Sequence, residues 1–114
     1  MVNERDFILI SRIEHYCYLI EKAIEKYHLT LEELANDEHQ LAACCMHIFQ
    51  IGESVKKLSE EFTKAHPQQP WHYMAGMRDI FGHDYQKTDV ERVWQTMIYD
   101  IPSLKKFCEQ VLEK

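Results

Sequence analysis

The chain has 114 residues, the usual size of one folding unit, and its 46% apolar and 28% charged content excludes a disordered chain or a low-complexity tail. Three Gly and three Pro are too few for the turns of a sandwich or barrel of short strands, which leaves helices. Nineteen acidic against thirteen basic residues give a formal charge of −6, so the bulk surface is a poor non-specific binder of nucleic acid, although a local site could still hold phosphate.

In chain order, the first element is a long amphipathic helix from Glu4 to about His28. Ile10, Ile13, Cys17, Ile20, Ile24 and Tyr27 recur at helical spacing, and Phe7, Tyr16 and Ala23 widen the stripe. Thr30 with Glu33 has capping-box spacing, which predicts a short helical turn over Leu31 to Ala35 before Asn36-Asp37 offers a second start. A second long helix follows, with Leu41, Cys44, Cys45, Ile48, Ile51, Val55 and Leu58 inside and Glu53, Lys57, Glu60, Glu61 and Lys64 outside. It is expected to fade near His66-Pro67.

The stretch from His66 to Trp71 holds two of the three prolines and reads as the main connector. A third helix is expected from about Pro70 through Trp71, Met74, Ala75, Met77, Arg78 and Phe81. Gly82, free to adopt positive φ, is expected to end it. Thr88 followed by Glu91 predicts another capping box, opening a last helix through Val90, Val93, Trp94, Met97, Ile98 and Ile101. Pro102 should kink or restart that helix before Leu104, Phe107, Cys108, Val111 and Leu112 resume the stripe. The expected fold is all-α: one domain over residues 1–114, an antiparallel up-and-down bundle of four main helices with a short extra helical turn.

No apolar run approaches the ~18 residues of a membrane span. Met1 to Asp6 also lack the basic-then-apolar order of a signal peptide, so a cytoplasmic protein with no membrane association is expected. Cys17, Cys44, Cys45 and Cys108 lie in apolar helical patterns and read as buried reduced thiols rather than a disulfide frame. Cys44, Cys45, His47 and His39 fall within nine residues, yet no second Cys/His pair stands at finger-like spacing. Glu25-x-x-His28 has the spacing of a di-iron motif, but its second copy is missing. Neither a metal nor another cofactor is expected. Trp71, Met74, Met77 and Phe81 could stack on a base, although packing is the commoner use of such a stripe, with Trp71 expected at an interface.

The densest polar group in an otherwise apolar stretch runs from Arg78 to Tyr85. Arg78 and His83 would stand ~140° apart on a continuous helix, and a bend at Gly82 would swing His83 back toward Arg78. An imidazole with a reference pKa near ~6.5 can move a proton at neutral pH, and a guanidinium holds phosphate oxygens in a planar fork. The pair suits attack on an RNA phosphodiester by its own 2′-hydroxyl. The plainer alternative pairs Arg78 with Asp79 or Asp84 and leaves His83 to cap the helix.

Around this group stand Ile51-Gly52-Glu53-Ser54-Val55-Lys56-Lys57-Leu58-Ser59, then Pro70-Trp71, Gly76-Met77-Arg78, His83-Asp84-Tyr85, Val93-Trp94 and Asp100-Ile101-Pro102-Ser103-Leu104. In that order they resemble the HepT-like HEPN family. The resemblance implies a helical protein that forms a homodimer in which two copies of the Arg-x4-His-x-Tyr motif meet across a cleft. It also implies a metal-independent endoribonuclease toxin of a toxin–antitoxin system, with Arg78 and His83 as catalytic pair and Asp79 orienting them. Tyr85 matches the family tyrosine to which an MntA-like nucleotidyltransferase antitoxin adds AMP, silencing the toxin by bulk and negative charge. Asp79 departs from the Asn that many relatives carry, and it places a negative charge beside the phosphate-binding Arg. Residues 64–88 hold three basic and two acidic side chains, a thin cationic surface that a symmetric dimer would double. The rival reading is a HEPN protein without nuclease activity that holds a nucleotide or substrate for a separate nucleotidyltransferase.

Overall fold

The computed structural model describes residues 2–83 and 89–113, with side chains given outside 79–83. Among these residues α1 spans Glu4–Tyr27, α2 Leu31–Asn36, α3 Glu38–Lys57, α4 Glu60–Ala65, α5 Trp71–His83 and α6 Val90–Gln95. A π-helical turn over Thr96–Asp100 leads into α7, Ile101–Val111. The fold is all-α, with four long helical stretches formed by α1, α3, α5 and the α6–α7 run.

The helix starts follow from local polar side chains that accept otherwise orphaned amides. Asn3 accepts from the Asp6 amide at 2.8 Å, Thr30 from Glu33 at 3.1 Å and Asp37 from Gln40 at 3.1 Å. His28 ends α1 in the left-handed region at φ 50°. The last helix opens one residue later than its expected capping box: Asp89 accepts from the amides of Glu91 and Arg92. Thr88 lies outside the described residues.

The expected second helix divides in two. Leu58 and Ser59 are extended, and Ser59 caps the separate α4 by accepting from the Phe62 amide at 3.1 Å. The cause lies 53 positions away in sequence: Asp6, 2% exposed, accepts from the Ser59 amide at 2.9 Å and from its hydroxyl at 2.6 Å. A buried carboxylate must find donors, and an extended Ser59 supplies two at once.

Pro102 acts as expected, with a specific geometry. Lacking an N–H and crowding the turn before it, a proline inside a helix opens the preceding backbone, and here the chain widens into the π turn with Pro102 in the first turn of α7. The fully buried Thr96 in that turn donates to the Arg92 carbonyl at 2.9 Å and is hydrogen bonded to the Tyr73 hydroxyl at 2.7 Å.

Helix α1 packs against both α3 and α7, and α5 packs against α3. Asp6 near the start of α1 meets Ser59 just past the end of α3, so these two run antiparallel. Glu21 late in α1 meets Lys105 early in α7 at 3.5 Å, which sets the same sense for that pair. Ile10, Ile13, Ile20, Ile48, Ile51, Met74, Met77, Met97, Ile101 and Leu104 fill the interior. Met74 and Met77 are thus core residues.

Trp71, expected at an interface, packs within the chain against its own aromatics. It is 9% exposed, its indole N–H donates to the His66 carbonyl at 2.8 Å, and its ring meets Phe62 at a tilt and Phe107 edge to face, at centroid distances of 6.1 and 5.7 Å. The connector turns back on itself, so the chain's own aromatics cover this ring. All four cysteines are buried and free, as their pattern predicted. Among the described residues no helix is long and apolar enough to cross a membrane.

Candidate active site

The site is built on α5 where it crosses α3. A glycine in the C-terminal half of α3 sets the spacing: a Cβ placed on Gly52 would overlap the Arg78 Cβ and lie 2.7 Å from the Met74 carbonyl oxygen. The absence of a side chain there lets the two backbones approach, at the small propensity cost of glycine in a helix. Arg78 is seated by this contact.

From that position the Arg78 Nε donates to the Glu53 Oε1 in an ion pair between the two helices. Its guanidinium also lies over the Phe49 ring, 5.2 Å from the centroid. Phe49, Gly52 and Glu53 are three and four residues apart, hence on one face of α3. The Arg78 and Glu53 side chains are 27% and 30% exposed, so the ion pair is held between helices yet open to solvent at its edge. Glu53 also borders a groove of about 580 Å³ between α1 and α3, whose walls include Phe7, Arg12, Tyr16 and Lys57.

Helix α5 does not stop at Gly82. It runs through that residue to His83, so the expected bend at the glycine is absent and the Arg78 and His83 positions share one continuous helix, about 140° apart around its axis. Glycine costs about 1 kcal/mol relative to alanine inside a helix, too little to end a segment whose Trp71, Met74 and Met77 are packed into the core. Asp79 and His83 are both on α5, and their side chains, like all of Tyr85, lie outside the described residues. The structure therefore shows one of the four expected site residues in contact with its surroundings, Arg78.

The partner of Arg78 was not legible as such. Glu53 reads as an outer-face residue from periodicity alone, whereas it stands in the α3–α5 crossing. The available signal was the glycine beside it, since a glycine within an otherwise regular helix marks a close approach of backbones.

The thiol and histidine cluster in α3 is apolar in character. Burial pushes the Cys44 and Cys45 thiols up from 9.0 to about 11 and about 12, and Cys108 to about 12. Cys17 is raised further, by burial first and then by neighbouring Cys108. His47 is half-buried beside Tyr16, and burial lowers its pKa. Among the described residues no group of three His, Cys, Asp or Glu side chains is arranged to hold a metal ion.

Comparison with known proteins gives one family. The model of the family described as Ribonuclease HepT-like matches residues 13–111. A protein of Caldanaerobacter subterraneus subsp. tengcongensis, named as a candidate RNase, is 33% identical over 90% of this chain and 92% of its own length. One from Methanocaldococcus jannaschii, also named as a candidate RNase, is 34% identical over 75% of this chain and 71% of its own. A protein of Thermococcus cleftensis named as a probable ribonuclease HepT is 47% identical over 48% of this chain and 50% of its own. No solved structure matches the chain.

Proposed function

Because the chain belongs to the Ribonuclease HepT-like family, we propose that it is an endoribonuclease whose reaction runs at Arg78 and His83 without a metal. The observation that carries this reading is the setting of Arg78: a guanidinium anchored by Glu53 and Phe49, with an edge left open to solvent. Such a group can meet a phosphate without first being ordered.

In the proposed reaction a base, His83, takes the proton of the RNA 2′-hydroxyl. The oxygen attacks the adjacent phosphorus, the bond from phosphorus to the 5′-oxygen breaks, and that oxygen receives a proton from the His83 of a second copy. The products are a 2′,3′-cyclic phosphate and a 5′-hydroxyl. Arg78 balances the charge that builds on the phosphoryl oxygens, and Asp79 orients the pair. A homodimer with two facing motifs supplies both imidazoles and doubles the cationic surface that a chain of net charge −6 otherwise lacks. In the same reading the protein is the toxin of a toxin–antitoxin system, and an MntA-like nucleotidyltransferase silences it by adding AMP to Tyr85 beside the phosphate site.

The test is cleavage of generic RNA in EDTA. Wild type should cut and leave a cyclic phosphate, while Arg78→Ala and His83→Ala should each lose activity by at least about a hundredfold with helicity unchanged. Equal cutting by all three proteins rejects the assignment of the site. RNA binding without cleavage by wild type supports the non-catalytic nucleotide-holding reading instead.

A further inference from the structure

We infer that Glu53 is a positioning residue: together with Phe49 and Gly52 it forms a cradle on α3 that fixes the direction in which the Arg78 guanidinium is presented. The inference rests on the proposed role of Arg78 and adds to it the group that holds this side chain in place.

Three independent contacts converge on one side chain. The Gly52 backbone receives the Arg78 Cβ, which sets the height of α5 over α3. The Phe49 ring lies under the guanidinium carbon, 5.2 Å from it to the ring centroid, and closes off that side of the head group. Glu53 accepts from Nε, the nitrogen nearest the stem, and so determines the rotation of the fork about its long axis. A free arginine side chain has several soft torsions, and these contacts together restrict them before any substrate arrives. The carboxylate also carries a cost for the ground state, since it partly neutralises the charge that meets phosphate. Its benefit should therefore appear in the chemical step more than in binding. Because both side chains are about one-third exposed or less but not buried, replacing Glu53 leaves no sealed unpaired charge in the core.

The experiment measures kcat and KM on a single-stranded RNA oligonucleotide in EDTA for the full chain, Glu53→Ala, Glu53→Gln, Arg78→Lys and the double variant Glu53→Ala/Arg78→Lys. Glu53→Ala should lower kcat by about tenfold or more with KM unchanged or lower, and with Tm shifted little. Glu53→Gln should recover most of that loss, since its amide oxygen can still accept from Nε. In the Arg78→Lys background, where no Nε fork exists, removing Glu53 should have almost no further effect. Wild-type kcat in Glu53→Ala overturns the inference, as does a loss that Gln fails to rescue or that persists in the Lys background. A wild-type protein that leaves the RNA intact overturns the ribonuclease reading itself, a result separable from the first because it precedes any comparison of variants.

Discussion

At the scale of single residues, two kinds of buried side chain illustrate how burial sets chemistry. The buried Asp6 side chain accepts twice from Ser59, once from its amide and once from its hydroxyl. Ser59→Ala removes the hydroxyl donor and the α4 cap together, so it should cost about 2–3 kcal/mol in urea unfolding. A stability equal to wild type would show that water or another donor serves Asp6 equally well. Burial keeps the cysteines in their neutral form. Their folded pKa values lie above 9.0, reaching about 11 to 12 for Cys44, Cys45 and Cys108. The unfolded chain therefore releases thiol protons first as pH rises. This contribution to stability is fully present below pH 9 and is lost as pH climbs through the window from 9 to about 12. A neutral thiol reagent should label native protein slowly at pH 8, and all four cysteines should react once urea is added. Rapid labelling of the native protein would contradict the burial seen here.

At the scale of elements, the α3–α5 crossing and the α6–α7 run show helices adjusted by what touches them. Gly52→Ala would force a methyl group into the Arg78 Cβ and against the Met74 carbonyl. Because backbone must move to make room, a loss of about 1–3 kcal/mol is expected, seen as a lower Tm, together with reduced RNA cleavage as Arg78 is displaced. Unchanged Tm would mean the two helices can separate freely. In the π turn, Thr96 is fully buried and tied to Tyr73 and to the Arg92 carbonyl. Thr96→Val keeps the shape and strands the Tyr73 hydroxyl, so a cost of about 1–2 kcal/mol is expected from chemical denaturation. The π turn itself was half legible: Pro102 announced a disturbance, but the choice of a wider turn over a kink depends on how α6 and α7 pack on their neighbours.

At the scale of the whole molecule, charge decides how RNA is held. With a formal charge of −6, long-range attraction for a polyanion comes from a few local cations rather than from the surface at large. Cleavage rates at subsaturating RNA should fall as salt rises from 50 to 200 mM, with a logarithmic slope of only about −1 to −3. A much steeper slope would reveal a broad cationic surface. Sedimentation should give twice the chain mass, and a single-chain mass would reject the proposed homodimer.

What the amino-acid order determined by itself was local: four long helical stretches, the caps at Thr30 and Asp37, the buried thiols, and the polar group around Arg78 on the third long helix. These depend on residues within about four positions of one another, the reach of a helical turn. Tertiary structure decided the rest. The break at Ser59 answers to Asp6 from the other end of a neighbouring helix, Trp71 is covered by Phe107 from α7, and Arg78 is held by Glu53 from α3. Helix periodicity tells which face turns inward, but not which partner residue arrives there. That depends on how closely two backbones approach, and here on one glycine at their crossing.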